Sequence, residues 1–258
     1  VNLKNPEVLI RIELEPERCF LSAGKVAGPG GLPVGTQGRA IALVSGGFDS
    51  AVAAWTMLRR GVEVHFAFGN LGGVGPHGGE REREAALQTI RALVARWGHG
   101  YRAKFHEVDL APFVSAMQRV AHPYHFQVLL KRALLRVGER IAKETSAVAL
   151  ITGDAVGQVS SQTLENLAAM EDAVSLLVLR PLVGQGKEEI LATARAIGVF
   201  EAAAQVAERC DLAGRRPATR ARFDPLHQDE SKIDPTILDT AIKERVVWDL
   251  SPLHHPEP

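Results

Sequence analysis

Between residues 41 and 197, short apolar runs alternate with longer stretches of helical period, and few folds accept that order. Ile41-Ala42-Leu43-Val44 is too short for a buried helix and suits a buried strand. Residues 51–60 continue with helical spacing, and Gly61 is a C-terminal stop. Strands are predicted at 62–68, 102–108, 148–151 and 176–179. Helices are predicted at 80–97, 128–143 and 188–197. The alternation predicts an α/β fold, a parallel sheet with helices on both faces. Ligands bind such sheets beyond the carboxyl ends of the strands, which directs attention to the loops at 45–50, 69–79 and 152–162. After about residue 200 the pattern weakens, with one last helix predicted over 239–247.

The ends of the chain read differently. Residues 8–14 place Val8, Ile10, Ile12 and Leu14 on one face and Arg11 and Glu13 on the other, as in a half-buried strand, with Cys19-Phe20-Leu21 as its partner. Two short strands do not form an independent fold. Six glycines and two prolines in residues 24–38 read as a linker. The predicted division is 1–23, a Gly/Pro-rich linker 24–40, the α/β domain 41–205, and a C-terminal segment 206–258. That last segment holds the basic residues Arg215, Arg216, Arg220 and Arg222 and a tail containing His254-His255.

The formal net charge is zero, which excludes a uniformly basic nucleic-acid binder and leaves room for local basic patches. Two cysteines, Cys19 and Cys210, cannot build a disulfide framework and fit a reducing compartment, so a cytoplasmic location is expected. No apolar run reaches the roughly 20 residues of a membrane helix. The first residues lack both a methionine and the apolar core of a signal peptide, so the chain is expected to begin inside a longer protein.

The strand-to-helix loop Ser45-Gly46-Gly47-Phe48-Asp49-Ser50 carries the strongest chemical signal. Two glycines let backbone approach an anion, two serine hydroxyls can donate to phosphate oxygens, and the next helix offers free amides and its positive end. Asp49 suits a phosphate site only with a cation between, which suggests Mg²⁺. An ordinary turn with a serine N-cap is the plainer reading. Gly73-Val74-Gly75-Pro76-His77-Gly78 competes as a dinucleotide fingerprint. Pro76 removes an amide donor there, and no acidic residue stands about 20 positions on. A Walker loop is absent: Gly186-Lys187 is followed by Glu188.

Thr152-Gly153-Asp154 and Gly157-Gln158-Val159-Ser160-Ser161-Gln162 form a polar stretch after a buried strand. Gln162 is placed to read a base edge and Gly153 to let a nucleotide pass the backbone. The alternative is a helix start capped by Ser160 or Ser161. Lys131-Arg132 breaks an apolar helix, as a solvated face or as phosphate contacts. Arg209 beside Cys210 favours a thiolate, although a small packed thiol is the simpler role. No Cys/His spacing resembles a metal site.

Taken together, these motifs resemble a known family. Val44 to Ser50 is similar to the PP-loop of ATP pyrophosphatases. Gly30-Gly31-Leu32-Pro33-Val34-Gly35-Thr36-Gln37, Asn70-Leu71-Gly72-Gly73, Leu130-Lys131-Arg132 and the run from Thr152 to Leu164 resemble the tRNA 4-thiouridine synthetase family, as do Leu179-Arg180-Pro181-Leu182 and Lys187-Glu188. The resemblance implies ATP-dependent adenylation of a tRNA uridine, followed by attack of a persulfide sulfur supplied by a cysteine desulfurase. It places Leu43, Val44, Ser45, Gly46, Gly47, Asp49, Ser50, Phe68, Gly69, Lys131, Gly153 and Gln162 at ATP, with Asp49 and Cys210 in catalytic roles. Weaker tRNA contacts are expected from Lys131, Arg132, Arg215 and Arg216. Residues 1–23 resemble the end of a tRNA-binding THUMP domain. Mg²⁺, a homodimer and a link to thiamine thiazole synthesis are further implications. The alternatives are a nucleotide- or tRNA-binding relative without sulfur transfer, or a PP-loop enzyme with another acceptor.

Overall fold

A computed structural model describes residues 4–24, 26, 28–72, 78–98, 100–204 and 218–250. The chain divides into two compact units, Val1–Gly31 and Leu32–Pro258. The first holds an antiparallel hairpin of β1 (Arg11–Leu14) and β2 (Cys19–Ser22), with Ile12 opposite Leu21 and Leu14 opposite Cys19. The expected strand exists, but it is not half-buried: Ile10, Ile12, Leu14 and Leu21 are all exposed. The alternation encodes a face to be covered, and a lone two-stranded hairpin has nothing of its own to cover it.

The second unit is built on a six-stranded sheet. In chain order its elements are β3 (Arg39–Val44), α1 (Phe48–Arg59), β4 (Glu63–Asn70), α2 (Gly78–Trp97), β5 (Lys104–Asp109) and α3 (Ala111–Val120). Then come α4 (Phe126–Thr145), β6 (Ala149–Ile151), α5 (Leu164–Glu171), β7 (Leu177–Leu179), α6 (Lys187–Ile197) and α7 (Phe200–Ala203). The described chain ends with α8 (Phe223–Glu230), α9 (Thr236–Lys243) and β8 (Val246–Asp249). The sheet order is β7-β6-β3-β4-β5-β8, parallel throughout except for the antiparallel edge β8.

Period-two alternation along the central strands divides the core. Ala40, Ala42 and Val44 of β3 pack toward α1, α2, α6 and α7, together with Phe66, Phe68 and Ile151. Ile41 faces the opposite layer of α3, α4, α5, α8 and α9, with Ala67 and Leu150. Helices therefore cover both faces, as the alternation predicts. β3 pairs with β4 on one side and with β6 on the other. The strand order thus reverses direction at the β3–β6 pair, which opens a crevice at their carboxyl ends.

Several boundaries differ from expectation. The linker 24–40 does not run free to residue 40: the Gly35 and Gln37 amides donate to the Gly61 carbonyl, and β3 begins at Arg39. Residues 218–250 are not an appendage, because α8 and α9 complete the α4 side of the core and β8 extends the sheet. The helix expected at 239–247 is instead α9 followed by a strand. Its apolar residues Val246 and Val247 lie on an exposed edge, where local period misleads. Neither Ser160 nor Ser161 caps a helix; the Thr163 side chain accepts from the Asn166 amide at the start of α5. Among the described residues no helix is long and apolar enough to cross a membrane.

Arg132 is the largest structural correction. It is 1% exposed on α4. Its Nε and Nη2 donate to Glu230 (Nη2 to Oε2, 2.8 Å), and its Nη1 donates to the Ala169 carbonyl and to Asp172. A guanidinium closed in by these groups ties α4 to α5 and α8 and is not available to tRNA.

His106 on β5 is buried, with Nε2 lacking a partner. Burial and the nearby Arg245 guanidinium push its pKa down to about 4. The unfolded chain therefore binds a proton near pH 6.5 that the folded chain refuses until about pH 4. Stability is expected to be level above pH 6.5 and to fall as pH drops through this window, by about 1 to 2 kcal/mol at pH 5 from this group. Urea midpoints at pH 7 and pH 5 check this, since His106→Leu should reduce the slope.

Candidate functional site

The crevice is bounded by the loop after β3, the loop after β6 and the middle of α4. Leu43, Val44, Ser45, Asp49 and Ser50 line it on one side, Lys131, Leu134 and Leu135 on another, and Thr152, Gly153, Asp154, Gln162 and Met170 close it. Eight of the twelve residues expected at ATP therefore meet in one cleft. Gly46 and Gly47 lie within the same loop. Phe68 is buried beneath it at the end of β4, and Gly69 packs against Leu110 and Leu134.

The loop geometry follows from its residues. Gly46 takes φ 87°, a left-handed turn that a side chain would strain. Gly47 is the N-cap of α1 with ordinary φ and no side-chain cap. A Cβ there would meet only the Ser45 hydroxyl at 3.8 Å. Neither strain nor crowding requires glycine at 47, so its bareness is left to a group approaching from outside. The first amides of α1 face this space without a side-chain cap. Ser50 Oγ donates to the Gly47 carbonyl at 3.0 Å and braces the turn.

Asp49 already has a cation beside it. Lys187 Nζ at the start of α6 lies 3.3 Å from Asp49 Oδ2 and 4.2 Å from the centre of the Phe48 ring. Gln158 Nε2 donates to the same Oδ2 at 2.9 Å. In the sequence, Lys187 and Gln158 stand out only as parts of motifs. Their meeting at Asp49 spans 138 and 109 positions, which no local pattern reveals.

Across the cleft, Asp154 is a hub. Its Oδ1 accepts from Lys131 Nζ and from Gln162 Nε2, each at 3.3 Å, and Arg180 Nε lies 3.8 Å from Oδ2. Burial pushes the Asp154 carboxyl up, but Lys131, the Thr152 side chain and Arg180 together more than offset this and hold it below the usual carboxylate range. The carboxylate is thus ionised and accepts only. Gln162 Oε1 and Gln158 Oε1 are buried with no donor. Such acceptors are costly unless a ligand or water supplies the proton. Asp154 and Arg180 were not singled out as site residues in the sequence reading.

Gly153 lines the cleft and also meets a second constraint. A Cβ there would lie 2.8 Å from the Asp49 carbonyl carbon and from the Ser50 amide nitrogen. The backbone approaching Gly153 is that of α1, so this glycine holds the two loops together. Gly153→Ala is expected to part them and to lower stability by about 1 to 3 kcal/mol. Urea unfolding measures the effect.

Among the described residues no group of three or more His, Cys, Asp or Glu side chains could hold a metal ion. Cys19 is an exposed free thiol. Cys210, Arg215 and Arg216 lie outside the described residues, as do positions 73–77 of the glycine motif and His254-His255.

Residues 35–234 match the family described as "Thiamine biosynthesis protein (ThiI)". The tRNA sulfurtransferase of Pyrobaculum aerophilum is 41% identical over 246 residues, which cover 95% of this chain and 48% of that protein. The tRNA sulfurtransferase of Escherichia coli O139:H28 is 37% identical over 244 residues, covering 95% and 49%. A solved structure described as "Crystal structure of a 4-thiouridine synthetase - RNA complex with bound ATP" superposes with a TM-score of 0.87 at 33% identity. It covers 96% of this chain and 64% of that one. The chain spans about half the length of the curated relatives it matches.

Proposed function

This chain belongs to the ThiI family, and from that premise we propose that it carries out ATP-dependent thiolation of a tRNA uridine. The observation that carries this reading is one cleft at the β3–β6 reversal, where the loop residues Ser45, Asp49 and Ser50, the ion-paired Lys131 and the unfilled Gln162 acceptor converge.

In this reading the triphosphate lies on Ser45, Gly46, Gly47 and Ser50, where the α1 amides and Lys187 hold the β and γ phosphates. The base lies toward Leu43, Leu134, Leu135 and Met170, an apolar slot whose polar contact is Gln162. Lys131 faces the α phosphate. The uridine O4 at position eight of tRNA attacks the α phosphorus, and pyrophosphate leaves. The base then carries AMP as a leaving group in place of a carbonyl oxygen. The outer sulfur of a persulfide attacks C4 and displaces AMP, and a second thiol then attacks the sulfur–sulfur bond of that adduct, releasing 4-thiouridine and leaving a disulfide. Cys210 is the candidate carrier of that sulfur, with a cysteine desulfurase as the donor.

Among the described residues, Asp49 fits a part in holding Mg²⁺. Asp49 is the carboxylate beside the phosphate loop, and Mg²⁺ held by one carboxylate and substrate phosphates would neutralise charge there. Residues 1–23 are read as the end of a THUMP domain, which accords with a hairpin whose apolar face is uncovered. tRNA contact is assigned to Lys131, Arg215 and Arg216, with Arg132 excluded. A homodimer, a cytoplasmic location and service to thiamine thiazole synthesis complete the proposal.

Incubating the full-length protein with unmodified tRNA, ATP and a sulfur source tests it. Pyrophosphate release and near-ultraviolet absorbance of thiouridine are expected. A protein that releases no pyrophosphate with tRNA would sink the reading.

A further inference from the structure

We infer that Asp154 is a positioning residue that makes the cleft selective for adenine, by fixing which end of the Gln162 amide faces the base. The inference rests on the ATP reading above.

A glutamine amide has two faces of similar shape and opposite polarity, and nothing in its own chemistry says which one a ligand meets. Here Gln162 is 92% buried, and Nε2 donates to Asp154 Oδ1 at 3.3 Å. Asp154 is 3% exposed, and Lys131 and Arg180 stand beside it. An ionised carboxylate cannot donate, so it accepts only the NH₂ end of Gln162. The carbonyl Oε1 is left buried and without a donor. The Gln162 backbone is held as well: its amide donates to the Val159 carbonyl and its carbonyl accepts from the Gly157 amide. The whole side chain is therefore an oriented acceptor in a cleft whose other walls include Leu43, Leu134, Leu135 and Met170.

Adenine presents an exocyclic NH₂ donor at C6, and hypoxanthine and guanine present a carbonyl oxygen there. A fixed Oε1 completes its hydrogen bond with the first and opposes the second. A site built to meet one hydrogen-bonding group rejects the analogue lacking it, because a buried polar atom is left unpaired. Were Asp154 neutral and able to donate, Gln162 could turn over and present NH₂ to the carbonyl base. Selectivity then resides in Asp154 although another residue makes the contact.

The test compares ATP with ITP on the full-length protein, by competition for a fluorescent ATP analogue and by tRNA-dependent pyrophosphate release. Wild type is expected to prefer ATP at least about tenfold. Asp154→Asn should bring the two nucleotides to within about threefold, mainly by improved ITP binding. Asp154→Glu keeps the carboxylate and should restore the preference. Should Asp154→Asn fail to fold, Gln162→Leu gives a second route, since it should lose the preference with Asp154 intact. A preference that survives in folded Asp154→Asn, or in Gln162→Leu, overturns the inference, as does a wild type that binds ATP and ITP equally; the ATP reading stands in each case. A wild type that binds neither nucleotide removes both.

Discussion

Under the proposed thiolation reaction, replacing Lys187 with methionine is expected to slow tRNA-dependent pyrophosphate release by about 10²- to 10³-fold. The residue stands at the first turn of α6, with Nζ 3.3 Å from Asp49 and above the Phe48 ring. Cleavage between the α and β phosphates builds charge on the departing pyrophosphate, and a cation placed beforehand stabilises that charge without reorganising. Methionine keeps the aliphatic stem against Phe48 and removes only the charge. Asp49 then keeps its Gln158 hydrogen bond, but its negative charge lies open to the triphosphate. The rate and ATP affinity should both fall, the rate by more. Steady-state kinetics with an unchanged urea midpoint would support this. Equal losses of stability and rate would make Lys187 a brace for the loop and no more.

Replacing Arg132 with methionine should cost about 3 kcal/mol of folding stability. Removing one partner of a buried ion pair leaves the other without compensation, and about 3 to 5 kcal/mol is usual. The lower value is expected because Arg136 also reaches Glu230, at 2.9 Å, and keeps it partly paired. The Ala169 carbonyl has no such reserve and loses its buried donor. A surface arginine that grips tRNA would behave in the opposite way. Its removal would weaken tRNA binding uniformly, reduce the salt dependence and leave stability alone. Urea unfolding and tRNA titration at two salt concentrations separate the two behaviours.

The difference between Lys131 and Arg132 shows where sequence reading loses its grip. The pair reads as two adjacent cations on one helix. On α4 they point about 100° apart, so one borders the cleft and the other enters the core. Burial of Arg132 depends on Glu230, 98 positions away, and on a segment of weak local pattern. Residues 206–258 read as a segment outside the domain for the same reason. α8 and α9 are short, and their apolar positions make sense only against the α4 surface they cover.

The sequence by itself determined the alternation of strands and helices, and with it a parallel sheet covered on both faces. Period is a local property, and a buried strand or an amphipathic helix shows it within a few residues. It determined the glycine loop before α1 too, because Gly46 and Gly47 and the helix start are neighbours in the chain. The tertiary structure alone decided what surrounds that loop. Lys187 and Gln158 at Asp49, and Lys131 and Gln162 at Asp154, are brought together by the reversal of strand order at β3 and β6. Pairing across a sheet depends on long-range burial and charge, and neither leaves a periodic trace in the sequence.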